Sequence, residues 1–212
     1  MSRASQKLIC VVGESCSGKD TIIKESISYM AISRNNIKLK PIVSYATRPI
    51  RVGETDGVEH WFISEEEAKS ITSRNELLAY TYIKDPNIPD KGYEYFTTVS
   101  QLEDCNLYVI DPRGLSSLMT YVNSGKIELC IIFIDCPKWI RDIRARKRKD
   151  DIKAYKSRCS NEQRQFEIFR RTIKVGGYPN AHVIHTAPFP GRRINNVIKF
   201  CDICAKFLTE TE

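Results

Sequence analysis

The chain has no apolar run long enough to cross a bilayer. The longest unbroken one is LCIIFI at 129–134, against the roughly 20 residues a spanning helix needs. No secretory leader is expected, because the first apolar run ends at once in Gly13 and a polar loop. Internal repeats and low-complexity linkers are lacking, and histidine is scarce, with 3 residues in 212. A second Cys-x-x-C is also missing. Cys201 and Cys204 stand alone, whereas a zinc site usually takes four ligands. These gaps argue against a membrane protein, a repeat array and a zinc module. They leave a soluble, cytoplasmic chain, most simply of one domain.

What is present agrees with that. Hydrophobic residues make up 42% of the sequence, enough for a substantial core. The 8 cysteines are scattered through predicted strands and helices, and Cys10 and Cys130 lie inside apolar runs. They read as reduced core thiols rather than a disulfide framework. Cys201 and Cys204 share one helical stripe with Ile194, Val197, Ile198 and Leu208, which also reads as core. The net charge is +7, suited to a polyanionic partner. Its densest run, RDIRARKRKDD at 141–151, has no aromatic platform interleaved with it, which argues against nucleic acid.

Short apolar runs recur at 7–12, 40–45, 106–111, 128–135 and 181–186, separated by helix-like segments. In one of these, Ile22, Ile23, Ile27 and Met30 share a face; in another, Ile152, Tyr155, Cys159, Phe166 and Phe169 do. Continuous apolar strands alternating with amphipathic helices predict an α/β fold with a five-stranded parallel sheet flanked by helices. The stretch 48–97 reads differently. Its pieces EHWFIS, LLAYTYI and YEYFTT, with turn signals at VGETDG and KDPNIPDKG, predict a small mixed β insertion.

The residues with chemistry begin at GESCSGKDT, 13–21, between an apolar strand and an amphipathic helix. Gly13, Gly18 and Lys19 have the spacing of a phosphate-binding loop of the P-loop NTPase type. In such a loop the backbone N–H groups of Glu14, Ser15, Cys16 and Ser17 turn toward phosphate oxygens. Lys19 reaches the outer phosphates, and the following helix adds its dipole. Asp20 stands where a hydroxyl usually ligates Mg²⁺. A carboxylate is also a hard oxygen ligand, so Asp20 is the candidate metal residue, with Thr21 next to it supplying a hydroxyl.

Downstream, Arg48 and Arg51 leave a strand three residues apart and enter a glycine-bounded acidic turn. Two guanidinium forks at that spacing can clamp one phosphate. Together, the loop and the pattern T-R-x-x-R-x-G-E-x-D-G at 47–57 resemble the guanylate kinase family over residues 6–209. The resemblance implies a core at 6–47, 98–137 and 166–209, an NMP-binding subdomain at about 48–97 and a helical lid at about 138–165. It implies ATP with Mg²⁺ on the loop, and GMP or dGMP in the insertion. Arg48, Arg51 and Tyr95 correspond to the residues that hold the GMP phosphate, with Thr97 in a neighbouring hydroxyl position. Ser44 and Asp111 correspond to residues that contact guanine, and Glu54 to the acid of the turn. Arg146 or Arg148, with Arg158, would reach the transferring phosphate from the lid. The last apolar run and the TAPFPG after it are plausible neighbours of adenine.

The departures from the family are specific. His60 replaces a phosphate-binding tyrosine, and Ala79 a glutamate that binds guanine, with Glu76 as the alternative under a shifted alignment. Val109 replaces an acid two places before Asp111, and Glu14 and Cys16 replace a proline and a glycine of the loop. The implied reaction is in-line phosphoryl transfer to an anionic acceptor, which rests on positioning and charge neutralisation and needs no general base. His182 and His185 are expected to be structural. A ribose 1,5-bisphosphate phosphokinase, another (deoxy)nucleotide kinase and a non-catalytic guanylate-kinase-like interaction module are the alternatives. A monomer or homodimer is expected.

Overall fold

The computed structural model describes residues 5–34, 36–51, 53–85, 88, 90–186 and 192–210. Four parallel strands form the core sheet: β1 (Gln6–Val12), β6 (Leu107–Val109), β7 (Ile127–Asp135) and β8 (Ala181–His185), in the order β6-β1-β7-β8. Successive side chains of a strand point to opposite faces, so each face has its own core. Ile9, Val11, Ile132 and Ile134 pack with Met30 of α1 (Lys19–Ser33) and with Val197, Phe200, Cys201 and Cys204 of α6 (Arg192–Thr209). On the other face, Leu8, Cys10, Ile131 and Phe133 meet Leu115 and Leu118 of α3 (Pro112–Asn123) and Phe166 and Phe169 of α5 (Ile152–Lys174). The lone Cys-x-x-C is therefore packing, with both thiols free and buried. Ile152 and Ile194 are exposed, each lying outside the buried stripe expected to hold it.

The expected fifth parallel strand at 40–45 is reduced to one bridge, Pro41 to Leu107. Proline has no N–H to give to a ladder. The side-chain amide of Asn106 replaces the missing pairing by accepting from the Lys40 N–H and donating to the Lys38 carbonyl. Ser44 is thereby delivered to the start of a second, mixed sheet, formed by β2 (Tyr45–Ala46), β3 (Trp61–Phe62), β4 (Leu77–Lys84) and β5 (Gly92–Thr98), in the order β3-β2-β5-β4. This is the predicted insertion. It also holds an unpredicted helix, α2 (Glu65–Arg74), which starts in a Ser64/Glu67 capping box. Parts of both expected turns, at 52 and at 86, 87 and 89, lie outside the described residues, as does TAPFPG beyond Thr186. Helix α4 (Lys138–Lys147) and α5 enclose a turn in which Lys149 has φ 57. Among the described residues, no helix is long and apolar enough to cross a membrane.

Candidate active site

The phosphate loop joins β1 to α1, with Gly18 at φ 94 directly before the first helical turn. A side chain at Gly18 would be strained by that φ, and its Cβ would meet Arg144 Nη1 at 2.9 Å. Arg144 holds the loop from beside it, donating to the carbonyls of Cys16 (3.2 Å) and Ser17 (2.6 Å). Cys16 has φ 62, the left-handed region, which explains why glycine suits this position and costs a side chain about 1–2 kcal/mol.

Glu14 is buried and points beneath the loop. It accepts from Arg141 (2.8 Å) and Arg170, and Arg170 also donates to Asp135 at 3.0 Å. A buried carboxylate is tolerable only when paired in this way. Ser15 is tied to α5, since its N–H and hydroxyl both donate to Glu162, at 2.9 and 2.6 Å. Ser17 has a buried hydroxyl without a hydrogen-bond partner among the described residues. Lys19 is half-buried, whereas Asp20 and Thr21 are exposed in the first turn of α1. These exposed hard oxygens would suit Mg²⁺, directly or through water.

Over the loop lie two of the expected lid arginines. Arg148 forks onto Asp150 at 2.7 and 2.6 Å and reaches Cys16 Sγ at 3.5 Å; Arg158 approaches the same carboxylate at 3.4 Å. Arg146 is not with them. It lines a separate cleft of about 630 Å³ between α4 and α5, together with Lys138, Tyr155 and Cys159. Helical spacing accounts for this, since Arg144 and Arg146, two positions apart, project to opposite sides of α4, while Arg141 also lines the cleft. The larger cleft runs along the far side of Glu14 and holds none of Lys19, Arg148 or Arg158, so we do not take it for the phosphate site. Sequence reasoning passed over Arg144, Arg141 and Glu162, although the i, i+4 spacing of Arg144 and Arg148 was visible.

In the insertion, Arg48 is buried and clamped by Glu54 at 2.6 and 2.7 Å, and its Nε donates to Tyr95 Oη at 3.0 Å. Burial works against the Glu54 anion, but hydrogen bonds from Arg48 and from the Arg51 backbone hold its carboxyl below the usual range. Arg51 is exposed, and burial of its stem together with the neighbouring charge of Arg48 lowers its pKa. The Arg158 charge adds to that lowering, which puts Arg158 within electrostatic reach of Arg51.

A small pocket of about 160 Å³ adjoins Tyr95 and includes Ser44, His60, Ala79, Tyr108 and Asp111 in its lining. His60 Nδ1 and Ser44 Oγ are 2.8 Å apart. Burial, and then Arg48, push the imidazole down to about 4, so it is neutral at pH 7. Asp111 caps α3 by accepting from the Gly114 N–H at 2.7 Å, which occupies one of its oxygens. Ala79 faces this pocket, whereas Glu76 accepts from Tyr121 Oη at 2.7 Å outside it, so the shifted alignment is not realised. Thr97 is fully buried and bonded to Tyr108 Oη, behind the pocket lining rather than in it. His182 pairs with Asn180 and His185 with Asp135, both away from the pocket.

Comparison with known proteins bears on this arrangement. The profile described as "Guanylate kinase" matches residues 5–170, most of the chain and every feature above except β8 and α6. The chain belongs to the guanylate kinase family. It is 40% identical over 78 residues to a guanylate kinase of Clostridioides difficile, covering 37% of this chain and 35% of that one. A guanylate kinase of Polaromonas is 25% identical over 182 residues, covering 78% and 82%. The chain thus spans about a third of the length of the first curated relatives it matches, while the more remote Polaromonas relative aligns along most of it. The crystal structure of guanylate kinase from Anaplasma phagocytophilum superposes with a TM-score of 0.59 at 17% identity, covering 98% of this chain and 89% of that one. At that identity the likeness establishes the fold.

Proposed function

We propose that the protein is an ATP-dependent nucleoside monophosphate kinase that phosphorylates GMP or dGMP in the cytoplasm. The observation that carries this reading is a pair of cation groups within electrostatic reach of one another: Arg48 and Arg51 beside the small pocket that Tyr95 lines, and Arg148 and Arg158 at the loop that carries Lys19. In this reading 48–97 holds the acceptor, 138–165 is the lid and the rest of 6–209 is the core, with α5 running unbroken across 165–166. Arg51, exposed and unengaged by Glu54 through its guanidinium, meets the acceptor phosphate. Arg48 and Tyr95 lock each other beside it, so the acceptor oxygen is presented in a fixed direction. Lys19, Arg148 and Arg158 neutralise charge that spreads over the moving phosphoryl group. Asp20 and Thr21 would hold Mg²⁺, which supplies further charge neutralisation when bound.

ADP release measured across GMP, dGMP, AMP, the pyrimidine monophosphates and ribose 1,5-bisphosphate tests the reading. Turnover is expected to be highest on GMP or dGMP, and a different best acceptor overturns it. One observation favours a ribose 1,5-bisphosphate phosphokinase as the second reading: Ala79 leaves the base pocket without a carboxylate at that wall. An interaction module without catalysis predicts no ATP binding, whereas a kinase binds ATP and loses it in Lys19→Ala.

A further inference from the structure

Two carboxylates of this chain occupy donors that an anion would use. Asp150 takes both arms of Arg148 and lies 3.4 Å from Arg158 and 3.8 Å from Cys16 Sγ at the apex of the loop. Glu162 takes the Ser15 N–H and hydroxyl. Neither carboxylate is needed to start a helix. The cap of α5 is the adjacent Asp151, which accepts from the Lys153 and Ala154 N–H groups, and Glu162 lies within the same helix. The left-handed residue Lys149 turns the chain so that Asp150 faces back over the loop. The fit is also incomplete. Arg158 Nε is buried with no hydrogen-bond partner among the described residues, as is Ser17 Oγ in the loop. A carboxylate offers two oxygens, whereas a phosphoryl group offers three arranged to reach several forks at once.

We infer that Asp150 and Glu162 are placeholder anions, which hold the lid arginines and the loop in a binding-ready arrangement and are displaced when polyphosphate enters. The inference rests on reading 13–21 as a phosphate site, and it makes both acids positioning residues. Holding the cations in place lowers the reorganisation needed on binding, and the competition sets a ceiling on affinity. A carboxylate that merely stabilised the site would have the opposite effect on binding when removed.

Asp150→Ala, Glu162→Ala and the double variant separate the two roles. Binding of tripolyphosphate and of ATP is measured by calorimetry, and thermal melting is followed with and without tripolyphosphate. The expected result is tripolyphosphate bound at least threefold more tightly by each single variant and tighter still by the double. Ligand-free melting should fall, because the cations lose their partners, and the rise in melting temperature on adding tripolyphosphate should exceed that of the unaltered protein. Tripolyphosphate binding that is unchanged or weaker in both single variants overturns the inference, whatever the turnover. Tighter tripolyphosphate binding in a protein that shows no ADP release with any acceptor leaves the inference standing and removes the kinase reading instead.

Discussion

At the phosphate loop Glu14 replaces the proline usual in the family, and Arg141 and Arg170 have turned in to pair with it. In the small pocket beside Tyr95, Ala79 stands where the family resemblance implies a glutamate, and the nearest glutamate along the chain, Glu76, bonds Tyr121 instead. The first change is enclosed in a buried ionic network that reaches Asp135 at the end of β7. The second leaves an apolar wall in a pocket whose remaining carboxylate, Asp111, is half engaged in capping α3. A charge placed in the interior forces compensation around it. A charge removed from a pocket wall forces none, and changes only what the pocket prefers to bind. The loop should therefore fail by losing stability, and the pocket by changing selectivity.

The largest expected effect tests the loop side. Glu14→Ala leaves the buried Arg141 without a carboxylate and Arg170 with Asp135 alone, and about 3 kcal/mol of unfolding free energy should be lost in urea titration. That is the lower end of the range for broken buried pairs, because Arg170 keeps partial contact with solvent. A loss below about 1 kcal/mol would show that the network is not a constraint on the loop. The pocket side is probed by Ala79→Glu. Restoring a charge-assisted hydrogen bond of roughly 1.5–3 kcal/mol should lower the KM for GMP about tenfold or more while leaving that for ATP unchanged. Unaltered GMP affinity would mean that this wall does not face the base.

The smallest effect concerns His60. Its imidazole titrates near 6.5 in the unfolded chain and at about 4 in the fold, so between these values the unfolded chain holds more protons. The stabilising contribution is complete above pH 6.5 and is lost as pH falls toward 4. His60→Gln should flatten this part of the stability–pH profile. A slope that survives the substitution would place its origin elsewhere.

Much of the fold was legible because its signals are local. The runs at 7–12, 106–111, 128–135 and 181–186 became β1, β6, β7 and β8, and the glycines and Lys19 fell at the β1–α1 junction. Helix α2 has a local start signal too, the capping-box spacing of Ser64 and Glu67, but with Ala68 as its one buried residue it carries little apolar periodicity among the β pieces around it. The strand expected at 40–45 was overruled by Pro41 and by an amide 65 positions after it in the chain, Asn106, whose bonds no periodicity displays. In the candidate site, Arg48, Tyr95 and Glu54 could be named from their motif. That Thr97 sits behind Tyr108, and that Arg146 faces away from the loop, depended on packing and on the rotation of α4.

By itself, the sequence determined the alternating strands and helices, the phosphate loop with Asp20 after its lysine, and the arginine pair of the acidic turn. Each of these follows from backbone preferences and side-chain chemistry within a few residues of chain. Only the tertiary structure decided which carboxylates neutralise which arginines. Glu14 meets Arg141 and Arg170, Ser15 meets Glu162, and Arg148 and Arg158 share Asp150. Those choices join residues up to 156 positions apart, and charges find partners by distance in space, which the order of residues does not encode.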